Sequence, residues 1–452
     1  MSELIISVSG LRGIVGQNLD PLVVARYAAA FSQQAPPGSI IVARDGRTTG
    51  PMLRDALTAA LRAAGRDVID ADVAATPTVG VLVRHLQAAG AVQVSASHNP
   101  PAYNGMKLFG PDGRVLAADK GAAIRSAFLH APPQWQSFDR IGVLCHEPDP
   151  HAPHLEKVLG TVDVTSIAKE RFRVLLDSNH GAGALLGQRL LQRLGCQVVL
   201  LGESPDGNFA HPPEPTAENL QTVAQQVRQH GCHVGFCQDP DADRLALIDA
   251  DGRYVGEEKT VALCVQRILD YGSEKGPIVI NCATSSMSQW LADQASVACL
   301  RSAVGEANVA DLMIAKQACY GGEGNGGPID PRVGYVRDSF VGMAQVLDLM
   351  QRTGATLAEL ADRLPTFAIH KTTVRVAPNR LLAILDSLPA HFADGQPDRS
   401  DGLRIAWDDA WLLIRGSNTE PIVRLIAEAD TVETAARLCA KAAALVQEDP
   451  VP

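Results

Sequence analysis

Asp239, Asp241 and Asp243 alternate in the run Asp-Pro-Asp-Ala-Asp-Arg. In extended backbone such residues project to one side, so three carboxylates would lie within a few ångströms and repel unless a cation neutralises them. An EF-hand loop opens similarly, but it requires Gly at its sixth position and a bidentate Glu at its twelfth. Arg244 and Ala250 stand there instead. Oxygen donors without Cys or His favour Mg²⁺ over Zn²⁺ and leave coordination positions for a phosphate oxygen. The alternative is an acidic, solvated turn leading into a hairpin over 245–255.

A second loop, Ser95-Ala96-Ser97-His98-Asn99-Pro100, follows an apolar run at 91–94. No Gly-x-Ser-x-Gly elbow surrounds either serine, which disfavours an acyl-transfer hydrolase. A serine at a strand end can carry a phosphoryl group, with His98 and Lys107 as donors to its oxygens; the alternative is a polar turn capping the next element. Two further loops are basic. Ser9–Gly16 sets Arg12 between glycines, where backbone N–H groups and a guanidinium can meet an anion. Arg415-Gly416-Ser417-Asn418-Thr419-Glu420-Pro421, with Arg424 beyond it, combines a bidentate cation, hydroxyls, an amide and glycine, which suits phosphate capture or an ordinary turn.

The elements that must position these loops recur. Ile40–Ala43, a polar loop at 44–50, and leucines 53, 57 and 61 at helical spacing read strand, loop, helix. The order repeats at 172–194 and, more weakly, from 278. Each block ends in a strand running into an unusual loop: 95–100, 239–244 and 322–327. Alternating strands and helices predict α/β units with parallel or mixed sheets, and ligands in such sheets bind at the carboxyl ends of strands, so the three loops are expected to meet at one cleft. Residues 368–452 differ, with short strands near 403–405, 411–414 and 422–426 and an alanine-rich helix at 432–446. Length alone, 452 residues at roughly 150 per domain, suggests about three domains. The repeated endings plus the distinct tail predict four: 1–148, 149–253, 254–367 and 368–452.

Acidic residues exceed basic ones, 50 to 40, for a net charge of −10. Long-range attraction to nucleic acid or an anionic membrane is therefore not expected, and any anionic ligand must be held by local cations. Nine scattered cysteines with no Cys-x-x-Cys disfavour a disulfide framework and fit a reducing cytoplasm. No apolar run approaches 18 residues, and the N-terminus lacks a secretory pattern.

With these four loops in this order, the sequence resembles the α-D-phosphohexomutases: Ser-Ala-Ser-His-Asn-Pro, Asp-x-Asp-x-Asp-Arg, Gly-Glu followed by Asn and Gly, and Arg-x-Ser-x-Thr-Glu-Pro. Within that family Gly-Gly-Glu-Gly-Asn-Gly-Gly at 321–327 resembles the phosphoglucosamine mutase subgroup; other members often have Ser-Gly-His where Asn325-Gly326-Gly327 stands. The resemblance implies three related α/β domains and a C-terminal α+β domain around a central cleft. It implies Ser97 as the phosphoserine, and Ser97, Asp239, Asp241 and Asp243 as ligands of one Mg²⁺. Arg12, Lys107 and Arg244 would line the phosphoryl-transfer site, with Lys107 or His98 in proton transfer. Glu323 and Asn325 would hold sugar hydroxyls, and Arg415, Ser417, Asn418, Thr419 and Arg424 the phosphate that is not reacting. A small phosphosugar is the implied partner and a hexosamine 1,6-bisphosphate the implied intermediate and activator, in an enzyme that is a monomer or homodimer. A phosphomannomutase/phosphoglucomutase, or a Mg²⁺-dependent sugar phosphatase, are the competing activities.

Overall fold

A computed structural model of the chain describes residues 4–7, 10–376, 380–392, 394–417 and 422–448. Four sheets follow one another along the chain. The first has seven strands in the spatial order Ile5–Ser7, Gly10–Ile14, Tyr103–Phe109, Gly90–Val94, Ile40–Arg44, Val68–Val73, Leu144–His146. Its last four strands run parallel, and Tyr103–Phe109 pairs antiparallel with Gly90–Val94. The second sheet, ordered Leu245–Asp249, Val234–Gln238, Arg173–Asp177, Gln197–Leu201, and the third, ordered Cys299–Ser302, Ile278–Asn281, Tyr320–Glu323, Gly327–Ile329, repeat this plan with three parallel strands and one antiparallel neighbour.

The apolar pattern explains the layering. Side chains alternate across a strand, so a strand with helices on both faces is apolar throughout. Ile40 and Val42 enter one core and Ile41 and Ala43 the opposite one. Val174 and Leu176 are separated in the same way from Leu175, and Ile278 and Ile280 from Val279. One core joins the second and third units, packing helices Gly183–Arg193, Glu257–Tyr271 and Ser339–Thr353 together.

The three loops singled out in the sequence occupy one topological position. Each connects a central parallel strand to its antiparallel neighbour: 95–102 after Gly90–Val94, 239–244 after Val234–Gln238, and 324–326 after Tyr320–Glu323. In each unit, a residue at the end of the parallel strand alongside, or just past it, caps its own loop. Asp45, Asp177 and Asn281 accept from the backbone N–H two residues on, at 2.9, 3.0 and 2.8 Å.

The fourth sheet is antiparallel, ordered Ala368–Arg375, Ile422–Ala429, Trp411–Gly416, Leu403–Ala406, Gln396–Asp398, with helix Val432–Glu448 on one face. Two of its strands, Ala368–Arg375 and Gln396–Asp398, carry too many polar residues to stand out in the sequence. Its other face sets Trp411 and Leu413 against Cys282 of the third unit, and Glu428 accepts from the Ser286 N–H at 2.9 Å.

Candidate active site

Ser97 sits in the first loop at φ +50°, a left-handed conformation uncommon for a residue with a Cβ, and is buried. Its hydroxyl donates to Asp239 Oδ2 at 2.7 Å and lies 3.3 Å from His98 Nδ1. The serine of the first unit thus meets the aspartates of the second.

All three aspartates are fully buried, and one carboxylate oxygen of each lies within 4.8 Å of the others. They converge by a different route from the one expected. The backbone is not extended: a turn closes from Asp239 O to the Ala242 N–H, with Ala242 at φ +56°. Thr76 donates to Asp241 Oδ2 at 2.5 Å, and Lys107 donates to Asp241 and Asp243 at 3.2 and 2.9 Å. Burial, then the charges of Asp241 and Asp243, push the Asp239 carboxyl well above the usual carboxylate range. Burial presses Asp241 the same way, but Lys107, Asp239 and Thr76 overcome it and hold Asp241 low. Lys107 is held high by the same aspartates despite its own burial, which keeps it a cation. Asp241 Oδ1 and Asp243 Oδ1 are buried without a hydrogen-bond partner. Hard oxygen donors in one buried cluster, two of them orphaned, fit a divalent cation of the Mg²⁺ type.

The surrounding cations are in place. Arg12, on strand Gly10–Ile14, donates to Asn99 Oδ1 at 3.2 Å and lies in the fields of Asp241, Arg244 and Asp243. Arg244 donates through its backbone N–H to Asp239 at 3.2 Å, while its buried Nε has no hydrogen-bond partner. Burial, together with Arg244 and Arg12, pushes His98 down to about 3, so its imidazole is neutral near pH 7.

The third loop reaches the same centre. Leu245 N–H donates to Gly326 O at 2.9 Å, and Gly326 stands at φ +77° where an added Cβ would meet Leu245 O at 2.2 Å. Glu323 Oε1 accepts from Asn281 and from the Gly305 N–H, at 2.6 and 3.0 Å, and Oε2 from Arg337 at 2.9 Å. Asn325, with its amide oriented to satisfy both neighbours, accepts from Arg337 at 2.6 Å.

Arg415 and Arg424 stand on the fourth sheet, apart from this cluster and directly opposite each other across two strands. Like charges so placed are unfavourable unless an anion joins them. Arg415 lies 2.9 Å from Asp401, which also accepts from the Val304 N–H of the third unit at 2.9 Å. Ser417 N–H donates to Ile422 O at 2.9 Å. Asn418 and Thr419 lie outside the described residues.

Family models of the phosphoglucomutase/phosphomannomutase proteins match the chain in register: α/β/α domain I over residues 4–134, domain II over 152–252, domain III over 257–367 and the C-terminal domain over 372–445. The chain belongs to this family. It is a phosphohexomutase, and hence an isomerase. It is 35% identical over 435 residues to a phosphoglucomutase/phosphomannomutase of Thermococcus kodakarensis, covering 94% of each chain. It is 31% identical to a probable phosphoglucosamine mutase of Methanopyrus kandleri, covering 95% of each. A phosphoglucomutase/phosphomannomutase family protein of Burkholderia thailandensis, 26% identical, superposes with a TM-score of 0.85 over 99% of this chain and 98% of that one.

Arg337, like Thr76, belongs to the phosphohexomutase's centre but to no loop singled out in the sequence. Arg337 donates to Asp243 at 2.5 Å and to Glu323, and its own N–H donates to Glu306 at 2.6 Å, so it ties the second unit's aspartates to the third unit's loop. It precedes Asp338, the N-cap of helix Ser339–Thr353. An arginine before a capped helix is the only sequence signal it leaves, and nothing local marks its partners, which are 14 to 94 residues away.

Proposed function

We propose that this phosphohexomutase interconverts glucosamine 6-phosphate and glucosamine 1-phosphate through a phosphoserine at Ser97 and a 1,6-bisphosphate. The observation that carries this reading is the Ser97 hydroxyl held 2.7 Å from Asp239 among three buried carboxylates, two with orphaned oxygens, beside Lys107. Phosphoryl transfer asks little covalent chemistry of a protein and much positioning and charge neutralisation, which is the equipment assembled here. Asp239, Asp241 and Asp243, with an oxygen on Ser97, would hold one Mg²⁺. When bound it neutralises charge on the phosphoryl oxygens.

The residues divide the work. Phospho-Ser97 gives its phosphoryl group to the 1-hydroxyl of glucosamine 6-phosphate: the bond from phosphorus to Oγ breaks, the bond to the sugar oxygen forms, the 1-hydroxyl gives up its proton and Oγ gains one. The neutral His98 imidazole, 3.3 Å from Oγ, can relay that proton, taking one at one ring nitrogen as the other gives one to Oγ. Lys107, fixed as a cation, serves as charge rather than base. Arg12 and Arg244 bind the phosphoryl oxygens, Arg244 with its spare Nε. Glu323 and Asn325 turn toward sugar hydroxyls from their contacts with Arg337. Arg415 and Arg424, with Ser417, Asn418 and Thr419, grip the distal phosphate, and release of Arg415 from Asp401 accompanies that binding. The bisphosphate then turns over, its 6-phosphoryl group returns to Ser97, and glucosamine 1-phosphate leaves. The enzyme acts in the cytoplasm, where its nine unpaired cysteines stay reduced.

A phosphomannomutase/phosphoglucomutase activity is the second reading, favoured by the name of the relative at 35% identity. Parallel kinetics on glucosamine 6-phosphate, mannose 6-phosphate and glucose 1-phosphate separate the two. The highest kcat/KM is expected on glucosamine 6-phosphate; a higher value on either hexose phosphate rejects the amino-sugar assignment. Phosphate release without isomerisation would mark a phosphatase.

A further inference from the structure

The loop at 44–50, which opens the first strand-loop-helix unit, contributes no group to the chemistry above, yet its side chains are wrapped around Ser97. Arg47 is 1% exposed and Asp45 0%. Arg47 Nη2 donates to the carbonyls of Ser97 and Asn99, both at 2.6 Å, and Nη1 to those of Pro100 and Tyr103, both at 2.9 Å. Its Nε donates to Asp45 Oδ2 at 3.2 Å. All five N–H donors of a guanidinium are accounted for by these bonds. The same Asp45 oxygen accepts from Ser95 Oγ at 2.6 Å, and Ser95 Oγ accepts from the Ser97 N–H at 2.9 Å.

Ser97 is thus held from both ends of its backbone. Its carbonyl goes directly to Arg47, its N–H goes through Ser95 to Asp45, and the two anchors are bound to each other. A non-glycine residue in left-handed backbone is strained and persists only where its surroundings over-determine it. Here the surroundings are this closed ring of hydrogen bonds. The second unit seals it: the Phe209 ring lies 5.1 Å from the Arg47 guanidinium carbon, and an added Cβ on Gly46 would strike His180 O at 2.1 Å.

We propose that Asp45 and Arg47 are the positioning residues that hold Ser97 in its phosphoryl-carrying orientation, and that Phe209 couples this clamp to the second unit. The proposal rests on Ser97 being the phosphoryl carrier. Neither residue is assigned contact with substrate, so their loss should appear in the rate of phosphoryl transfer and not in substrate affinity. Lysine cannot replace a planar fork serving four carbonyls and a carboxylate, even though it keeps the charge.

The test is Arg47→Lys, compared with wild type for kcat, KM, thermal midpoint and the single-turnover rate at which glucosamine 1,6-bisphosphate re-phosphorylates the dephosphorylated enzyme. Misplacing a reacting group by about 1 Å costs on the order of 100-fold. The expected result is a kcat and re-phosphorylation rate both down about 100-fold, with KM within a few-fold of wild type. Wild-type kcat, or a loss confined to KM or fully accounted for by the unfolded fraction, overturns the proposal. If Arg47→Lys does not fold, Ser95→Ala decides: it removes one hydroxyl from the relay and should lower kcat about tenfold at unchanged KM, whereas unchanged kcat overturns the proposal. Phe209→Leu should give a smaller loss in the same two rates, and no loss overturns the coupling to the second unit. Intact mass of the wild type separates this from failure of the underlying reading, since absence of a phosphoryl group on Ser97 rejects the carrier assignment whatever Arg47→Lys does.

Discussion

Of three fully buried carboxylates within 4.8 Å of one another, Asp241 and Asp243 are held by Lys107, Thr76 and Arg337 and Asp239 by Ser97, and Asp241 Oδ1 and Asp243 Oδ1 are still left without hydrogen-bond partners. An ion seated there would relieve repulsion in the folded state alone, so it should stabilise the fold as well as support turnover. A ligand at 100 times its dissociation constant adds about 2.7 kcal/mol. Titrating Mg²⁺ into metal-free protein is expected to raise the thermal midpoint of the wild type and to raise that of Asp241→Asn far less. Equal shifts in both would place the ion elsewhere. At this scale the sequence was informative wherever a motif is contiguous: Ser97 and the aspartates announce themselves in runs of six. Arg337 does not, because its partners Asp243, Glu306 and Glu323 come from other loops and meet it only in the fold.

The elements explain why those runs converge. Each loop lies where a buried parallel strand hands over to an antiparallel neighbour, and the strand alongside braces it: Ser95 donates to Asp45 at 2.6 Å, Ser178 to Gln238 at 2.8 Å, and Asn281 to Glu323 at 2.6 Å. Strand-loop-helix repeats were legible from apolar runs and leucine spacing. The alternation of Asp239, Asp241 and Asp243 was misleading as to mechanism, since a turn with Ala242 left-handed gathers them, because Ser339 Oγ and the Asp243 and Arg244 N–H groups fix that turn. Behind the loops, helices Glu257–Tyr271 and Ser339–Thr353 are joined by Arg267 and Asp348, 2.8 Å apart and almost fully buried, with Arg267 also donating to Thr161 O. Removing one partner of such a pair leaves a buried charge, at about 3–5 kcal/mol. Asp348→Ala should lower the free energy of unfolding in a denaturant titration by that amount, and a change under about 1 kcal/mol would show that water reaches Arg267.

Across the whole molecule a net charge of −10 coexists with Arg12, Lys107, Arg244 and Arg337 at one centre and Arg415 and Arg424 at another. Global charge thus excluded polyanion binding as an expectation without bearing on phosphate. Burial pushes some acids in this excess upward in the folded state. Glu258, which accepts from the Ser285 N–H at 2.9 Å, is pushed up to about 8 by burial, against the pull of Lys371 and that N–H; its ordinary value is 4.5. Between those values the folded chain keeps a proton that the unfolded chain has lost, so the stability it contributes is complete below pH 4.5 and declines as pH rises to about 8. Glu258→Gln should flatten the dependence of the thermal midpoint on pH across that window; an unchanged slope would assign the dependence to other groups.

The most direct measurement follows one phosphoryl group. Wild-type enzyme loaded from radiolabelled glucosamine 1,6-bisphosphate should carry the label on Ser97 alone and pass it to unlabelled glucosamine 6-phosphate at a rate no slower than kcat, and Ser97→Ala should neither take up label nor turn over. Label on another residue, or wild-type turnover by Ser97→Ala, would contradict a phosphoserine mechanism at this site.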